Sequence, residues 1–317
     1  MQWLDRSGVE RCASELDRAV SRDPDVDPFC TRSDWILPFH DAFHPGCEVV
    51  AAREADSFVL LGEEHGVLRP LEAMWGFASP LVGAGSVELL GALCAARAGR
   101  REVLYLSGLA PDSSRVRALV ARLAPSHSLS VAGLTVRFVA ELDSLEGYLA
   151  RRSAKLRASL RRAARRVRSA GIEFQLLAPE PGSADAVYAR VLAVEGRSWK
   201  AATGNGVDRG PMREFYARMF PRLAARGALR VLFARRDGED VGYLSGGLAG
   251  AHFRGLQFSF DERLRALGLG NVLQLEMIAR LCAEGVRAYD LGGQSAYKAR
   301  FGEREVATLA LVARPRT

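Results

Sequence analysis

The chain has 317 residues, of which 48% are hydrophobic and 26% are charged, and its formal net charge is +7. This length is sufficient for two domains of ordinary size, each with its own hydrophobic core. No stretch is apolar enough to span a membrane, and Met1–Val20 carries too many charged residues for a signal peptide, so we expect a cytoplasmic protein.

The first half of the chain alternates strand-like and helix-like runs. It begins with an amphipathic helix and a linker that contains two prolines. Two strand candidates, an apolar segment and an alternating series of helices and strands follow. In chain order, these segments are Leu4–Val20, Ser21–Cys30, Cys47–Arg53, Ser57–Leu61, Ala73–Val82, Val87–Ala98, Val103–Leu106, Ser113–Leu123 and Leu129–Val139.

The second half repeats this order after additional helices at its start. A helix pair, a strand, two helices separated by a glycine-rich loop, three strands, a further helix and two strands are predicted. Apart from that further helix, the segments are Leu145–Ala170, Ile172–Leu177, Asp185–Trp199, the loop Thr203–Pro211, Met212–Ala225, Leu229–Ala234, Asp240–Leu248, His252–Phe260, Val286–Leu291 and Val306–Ala313. The repeated order predicts two copies of one mixed α/β unit, at residues 1–144 and 145–317.

The excess positive charge is concentrated in one predicted helix. Arg151–Arg168 holds nine basic residues and no acidic one. Apolar residues recur at helical spacing within it, so the arginines occupy its outer face. Such a face suits a polyanion, a tRNA or a phosphate-rich donor. Because the helix lacks interleaved aromatic residues and any nucleic-acid motif, we favour a solvated face on a helix that bridges two domains.

A turn with two glycines has the pattern of a phosphate-binding loop. It lies between the strand candidate His252–Phe260 and a run with helical spacing that ends at Gly285. Glycine lets a backbone approach phosphate closely, and the start of a helix supplies free N–H groups and a positive dipole. The predicted diphosphate site comprises Arg265, Leu267, Gly268, Leu269, Gly270 and Asn271.

This Arg-x-x-Gly-x-Gly pattern resembles the acyl-CoA pyrophosphate loop of the GNAT acyltransferase superfamily. The segment Gly292–Gly302 resembles the tyrosine-bearing helix that precedes the last strand of that fold. The whole chain, and the second half most specifically, resembles the bacterial GNAT-like family of cellulose-biosynthesis-type acetyltransferases. The residues that carry this closer resemblance are Tyr148, Lys155, Arg157, Leu160, Arg161, Arg162, Glu195–Lys200, Asp290–Gly293, Tyr297, Lys298, Phe301 and Gly302.

The resemblance implies a fold of the α/β (mixed α+β) class with tandem GNAT-like units. Each unit is then a mixed, largely antiparallel, twisted sheet flanked by helices. The first unit resembles a degenerate copy, because Pro80 stands where the second has Arg265 and proline cannot donate a hydrogen bond. Binding of acyl-CoA, the only cofactor expected, is therefore assigned to the second unit.

The implied reaction is direct transfer of an acyl group, by default acetyl, from acyl-CoA to an amine in a ternary complex. Phe258, Ser259 and Phe260 end the strand that splays from its neighbour in GNAT folds and offers N–H groups to the thioester. Tyr297 stands where the superfamily's tyrosine protonates the leaving thiolate, although a packing role is equally compatible. Lys298 is expected to steady the oxyanion or to bind a phosphate.

The general base is less well defined. An alkylamine with a pKa of about 10 must lose a proton before it attacks. Glu195, on the helix that lines the acceptor side, is the candidate, and a surface glutamate or a helix ion pair is the alternative. Asp261 and Asp290 are further options, and Asp261 is equally suited to capping a turn.

Two other functions remain open. The architecture is similar to that of the Fem-type transferases, which use aminoacyl-tRNA and also carry a lysine before a Phe-Gly pair, as in Lys298–Gly302. The complete Arg265–Gly270 loop favours a CoA donor, so tRNA is a partner only under this alternative. The third possibility is a non-catalytic CoA-binding protein. The expected acceptor is a small-molecule or peptide amine.

A pair of histidines imitates a metal motif. His40 and His44, at i and i+4, resemble the H-E-x-x-H pattern of zinc proteases, but Asp41 replaces its glutamate and Pro45 ends the helix. The five cysteines are scattered, fit a reducing compartment and show no metal-ligand spacing. No metal site is expected.

Overall fold

The computed structural model describes residues 1–198, 200 and 206–316. The chain divides into two compact units. The first comprises Met1–Val136 and the C-terminal residues from Val306, and the second comprises Arg137–Glu305. The predicted division into two copies of one unit, at residues 1–144 and 145–317, stays a prediction.

Among the described residues, the first unit contains five helices, six complete strands and parts of two more. The helices are α1 (Arg6–Arg11), α2 (Ala13–Arg22), α3 (Ser33–Phe43), α4 (Ser86–Ala96) and α5 (Ser114–Leu123). The strands are β1 (Gln2–Leu4), β2 (Glu48–Glu54), β3 (Ser57–Glu64), β4 (Val67–Pro70), β5 (Leu81–Val82), β6 (Val103–Leu109), β7 (His127–Glu141) up to residue 136, and β13 (Arg304–Pro315) from residue 306.

The sheet of the first unit has the order β1-β2-β3-β4-β6-β13, with β5 paired to β3. Its one parallel pair among these strands is β4 with β6, and its other pairs are antiparallel. Leucine and valine side chains of β2, β3, β6, α4 and α5 form its core.

The single helix predicted over Leu4–Val20 is wrong. Residues 2–4 pair with β2 instead, and the Asp5 side chain then accepts a hydrogen bond from Gly8 N and starts α1. A break at Cys12 separates α1 from α2. Apolar residues keep a helical spacing across Asp5, so this spacing did not reveal that Asp5 caps the start of the helix.

The second unit contains five helices and the remaining strands among its described residues. The helices are α6 (Leu145–Ala150), α7 (Ala154–Ser169), α8 (Ala184–Glu195), α9 (Gly210–Ala225) and α10 (Leu269–Ala283). The strands are β8 (Glu173–Leu177), β9 (Leu229–Arg236), β10 (Glu239–Ala249), β11 (His252–Phe260) and β12 (Ala288–Gly293), together with residues 137–141 of β7.

The sheet of the second unit has the order β7-β12-β11-β10-β9-β8. Its neighbours are antiparallel except for β11 and β12, which are parallel and joined by α10. Each unit thus has one parallel strand pair, connected through a helix, within an otherwise antiparallel sheet. The predicted α/β (mixed α+β) class, with a mixed, largely antiparallel sheet flanked by helices, is confirmed.

Helices cover both faces of the second sheet. Leu244 of β10 packs into the core that α7 and α10 share, whereas the neighbouring Tyr243 reaches Glu195 of α8. Because successive strand residues point to opposite faces, α7 and α10 lie on one face and α8 on the other. Among the described residues, no helix is both long and apolar enough to cross a membrane.

Candidate functional site

The sheet of the second unit opens between β11 and β12. These strands pair over only three residues, ending at Arg254 opposite Asp290, whereas β11 continues to Phe260 against β10. A register shift between Ser245 and Gly246 of β10 leaves Leu256 as an extra residue in β11, just past the last parallel pair. Such a bulge bends a strand and increases its twist. The splayed strand that the sequence predicted is present.

Two residues of β11 direct their backbone groups into this opening. Asp261 N donates to Val241 O of β10, so the backbone of Ser259, two residues earlier, also faces β10. The N–H and C=O groups of Phe258 and Phe260 therefore face the open edge. Of the three residues predicted to align the thioester, Ser259 is the exception, and its side chain is buried.

The glycine turn lies next to this open edge. A 3-10 turn over Glu262–Leu267 is followed by Gly268, which has φ +74° and precedes the first residue of α10, Leu269. The left-handed conformation favours glycine because a Cβ there is strained. No side chain of the described residues caps α10, so the N–H groups of Leu269 and Gly270 remain available. Asn271 follows in the same turn of the helix.

The two glycines also serve packing. A Cβ on Gly270 would lie 2.9 Å from Phe260 Cε1 and 3.2 Å from Phe258 Cε2. A Cβ on Gly268 would lie 3.4 Å from Arg166 Nη2, which donates a hydrogen bond to Leu267 O at 3.2 Å. The turn is thus held closely between β11 and α7.

Arg265 lies on the solvent side of this turn. Its side chain is 68% exposed, and Nε lies 3.1 Å from Glu262 Oε1. An exposed ion pair of this kind contributes at most about 1 kcal/mol, so a bound anion can replace it. Asp261, the alternative base, instead caps the 3-10 turn by accepting from Arg263 N, and hydrogen bonds from Arg263 lower its pKa.

Tyr297 lies beside the first turn of α10. Its hydroxyl donates to Gly270 O at 2.9 Å, and its ring stacks on Phe258 with centroids 5.6 Å apart. Burial raises the pKa of this hydroxyl, which is therefore protonated at neutral pH. The predicted tyrosine-bearing helix is wrong, because Tyr297 precedes only a 3-10 turn, Lys298–Arg300.

Lys298 joins a charged cluster at the base of the opening. Lys298 Nζ and Arg254 Nη2 lie 3.2 and 3.4 Å from the position that a Cβ on Gly292 would occupy. Burial, followed by the charge of Arg254, lowers the pKa of Lys298 to about 8. Asp290 Oδ1 lies 2.7 Å from Arg254 Nη1, and Oδ2 accepts from Arg137 at 2.5 Å. Asp290 is buried between two arginines, which suits a structural carboxylate better than a base.

Glu195 is fully buried at the end of α8. Its carboxylate accepts hydrogen bonds from Tyr243 Oη at 3.1 Å and Val207 N at 3.2 Å. Lys200 Nζ lies 3.7 Å from Glu195 Oε1 and donates to Phe258 O at 2.7 Å. Lys200 thus connects Glu195 to the open edge of β11.

The sequence placed Lys200 in the Glu195–Lys200 motif but assigned it no role. It also donates to Gln257 Oε1 at 2.7 Å, and burial lowers its pKa. Its scarcity, as one of only three lysines, was the available signal. Trp199 of the same motif and residues 203–205 of the predicted Thr203–Pro211 loop lie outside the described residues.

The corresponding turn of the first unit already holds a carboxylate. Gly83 N, before α4, donates to Asp23 Oδ2 at 2.7 Å, and Arg115 Nη2 donates to the same oxygen at 2.6 Å. Both side chains of this ion pair are less than 10% exposed. The turn is therefore occupied from within its own unit.

The two histidines of the metal-like pair lie in different surroundings. His40 is buried in α3, and burial lowers its pKa to about 4. His44 Nδ1 lies 2.8 Å from Arg69 Nη2. Over the described ranges, no three or more His, Cys, Asp and Glu side chains are grouped as ligands.

A protein-family model matches most of the second unit. Residues 154–299 match the model described as an acetyltransferase (GNAT) domain. No curated protein matches the sequence. The cellulose-biosynthesis-type subfamily stays a prediction.

Solved structures resemble the chain over nearly its whole length. A conserved protein of unknown function from Bacteroides thetaiotaomicron VPI-5482 has a TM-score of 0.66 at 11% identity, covering 96% of this chain and 97% of that one. FemX has a TM-score of 0.64 at 11% identity, covering 94% and 95%. The C-terminal domain of a candidate lysylphosphatidylglycerol synthetase from Agrobacterium fabrum has a TM-score of 0.61 at 14% identity, covering 97% and 93%. At these identities the likeness establishes the fold alone.

Proposed function

We propose that this chain, whose second unit carries a GNAT domain, transfers an acyl group, by default acetyl, from acyl-CoA directly to an amine acceptor. One observation carries the proposal. The uncapped N-terminus of α10 lies directly beside the open edge of β11. A helix N-terminus favours a diphosphate, and an unpaired strand edge suits the amide groups of a pantetheine arm. The two features together match one elongated donor.

The donor would extend from the turn into the opening. The N–H groups of Leu269 and Gly270 and the guanidinium of Arg265 would hold the diphosphate. The backbone groups of Phe258 and Phe260 would pair with the pantetheine arm and direct the thioester towards the base of the opening. That base is where Arg254 and Lys298 place positive charge.

The proposed reaction needs no covalent intermediate on the enzyme. The neutral amine attacks the thioester carbon, a C–N bond forms, and the carbonyl oxygen becomes an oxyanion. Collapse of this tetrahedral species breaks the C–S bond and expels the CoA thiolate. In this proposal the Lys298 ammonium stabilises the oxyanion, and Tyr297 gives its proton to the thiolate.

Glu195 is the proposed proton acceptor for the amine. Its burial and its two hydrogen-bond donors hold the carboxylate on the α8 face of the sheet. Lys200 lies between Glu195 and the open edge, so the proton would reach Glu195 directly or through water beside Lys200. Asp290 and Asp261 are less suited, because arginine side chains hold both.

The second candidate is transfer of an aminoacyl group from charged tRNA. The exposed arginines of α7 favour it, as does the Lys-x-x-Phe-Gly segment from Lys298 to Gly302. The uncapped turn at Gly268 favours the CoA donor. A non-catalytic CoA-binding protein is the third candidate.

An assay with two donors separates these functions. Purified protein is incubated with acetyl-CoA and a panel of amines, and free thiol is measured. A parallel incubation uses charged tRNA. We expect amine-dependent release of CoA and no transfer from tRNA. Transfer from tRNA without CoA release would contradict the proposal, and CoA binding without release against a broad panel would indicate a non-catalytic protein.

A further inference from the structure

The arginines of α7 line a groove that ends at the glycine turn. The groove has a volume of about 690 Å³ and is lined by Arg162, Arg165, Arg166, Ser169, Ala170 and Leu267. Leu267 immediately precedes Gly268, and Arg166 donates a hydrogen bond to its carbonyl. The groove therefore continues from the proposed diphosphate site along α7.

The apolar stripe of α7 determines where these arginines lie. Leu156, Leu160, Ala163 and Val167 are buried in the core of the second unit. Because residues three and four apart share a helix face, Arg162, Arg165 and Arg166 emerge together at the border of that stripe. The position is fixed by packing, not by a partner side chain.

Acidic side chains of the described residues form no ion pair with these three arginines. Helix α7 contains no acidic residue, and no ion pair joins these three side chains to any described carboxylate. Other arginines of the unit, such as Arg190 and Arg230, are paired with Asp240 and Glu284. Like charges at this spacing repel, so an anion in the groove would be stabilised by all three.

We infer that this groove binds the phosphate monoester that coenzyme A carries on its ribose, and that the enzyme thereby selects CoA over dephospho-CoA. The inference rests on the proposed function, because it places the diphosphate of the same molecule at the turn. A phosphate monoester is close to a dianion at neutral pH and accepts several charge-assisted hydrogen bonds from arginine. A diphosphate bound at the turn alone would leave Arg162 and Arg165 without an anionic partner.

Calorimetric titration with CoA and with dephospho-CoA tests the inference without any acceptor. Wild-type protein is compared with the double variant Arg162→Gln/Arg165→Gln. The control, Arg161→Gln/Arg168→Gln, changes two exposed arginines of the same helix that do not line the groove. Arg166 is left intact because it also holds the turn.

Wild type and control should bind CoA at least about tenfold more tightly than dephospho-CoA, a preference that salt weakens. The groove variant should bind both ligands with the affinity that wild type has for dephospho-CoA. Equal binding of both ligands by wild type would overturn the inference and leave the proposed function standing. No binding of either ligand would contradict both. A third outcome would assign the groove to RNA instead. In that case wild type and control would bind tRNA, the groove variant would not, and all three would bind CoA equally.

Discussion

At the residue scale, the proposed chemistry depends on side chains that the sequence named and on contacts that it did not reveal. Tyr297 and Lys298 were recognised from a motif, and both lie at the opening. The link from Lys200 to Phe258 O and the pairing of Asp290 with Arg254 were not foreseen. Such contacts depend on the register between segments that are distant in sequence, and local patterns carry no information about it.

Replacing Tyr297 by phenylalanine separates an acid from a packing residue. If the hydroxyl protonates the thiolate, kcat should fall by about a hundredfold while KM for acetyl-CoA changes little. Steady-state kinetics measures both constants. The control is Tyr148→Phe, which also removes a buried hydroxyl that donates to a backbone carbonyl at 2.9 Å. A rise in KM with kcat unchanged would assign Tyr297 to holding the Gly270 carbonyl.

The low pKa of Lys298 predicts a pH limit on turnover. Its ammonium is present below a pKa of about 8 and is lost above it, so stabilisation of the oxyanion should decline as the pH rises through 8. Measuring kcat from pH 6 to about 10 should reveal this decline. In Lys298→Gln the decline should vanish and kcat should be low throughout, whereas the exposed Lys155→Gln should behave as wild type. An unchanged decline in Lys298→Gln would exclude this role.

At the scale of elements, strong local signals predicted the strand, turn and helix around Gly268. The apolar and aromatic run His252–Phe260 predicted β11, and helical spacing after Gly270 predicted α10. The 3-10 turn over Glu262–Leu267 escaped prediction because it is too short to show a period. Both glycines were attributed to phosphate, yet the structure shows that packing against β11 and α7 requires them as well.

A methyl group on Gly270 should weaken both donor binding and the fold. In Gly270→Ala the new Cβ would press on the rings of Phe260 and Phe258, which line the open edge. We expect roughly tenfold weaker binding of acetyl-CoA and a cost of about 1–3 kcal/mol in the free energy of unfolding. Calorimetry and urea denaturation measure these. Gly182→Ala, where a Cβ meets nothing within 4 Å, is the control, and unchanged affinity in Gly270→Ala would argue against a donor at this turn.

At the scale of the molecule, both units share one sheet pattern, but their glycine turns differ in the side chains that contact them. Each unit has a parallel strand pair joined by a helix that follows a glycine turn. In the first unit Asp23 and Arg115 fill that turn, and in the second no described side chain caps the helix that follows it. Pro80 in place of an arginine predicted a degenerate first copy, but the carboxylate that occupies its turn comes from 60 residues away and could not be foreseen.

Removing Asp23 should destabilise the protein without affecting donor binding. Asp23→Ala leaves Arg115 buried without its partner, and loss of one member of a buried pair costs about 3–5 kcal/mol. Urea denaturation measures this loss. The control is Asp56→Ala, which removes an exposed ion pair with Arg22 and should cost under about 1 kcal/mol. Loss of CoA binding in folded Asp23→Ala would indicate a donor site in the first unit.

A crystal structure of the complex with CoA tests the central claim most directly. The account predicts diphosphate oxygens within hydrogen-bond distance of the N–H groups of Leu269 and Gly270. It also predicts a pantetheine arm along Phe258–Phe260, between β11 and β12. CoA bound at the Gly83 turn, or anywhere away from the start of α10, would contradict it.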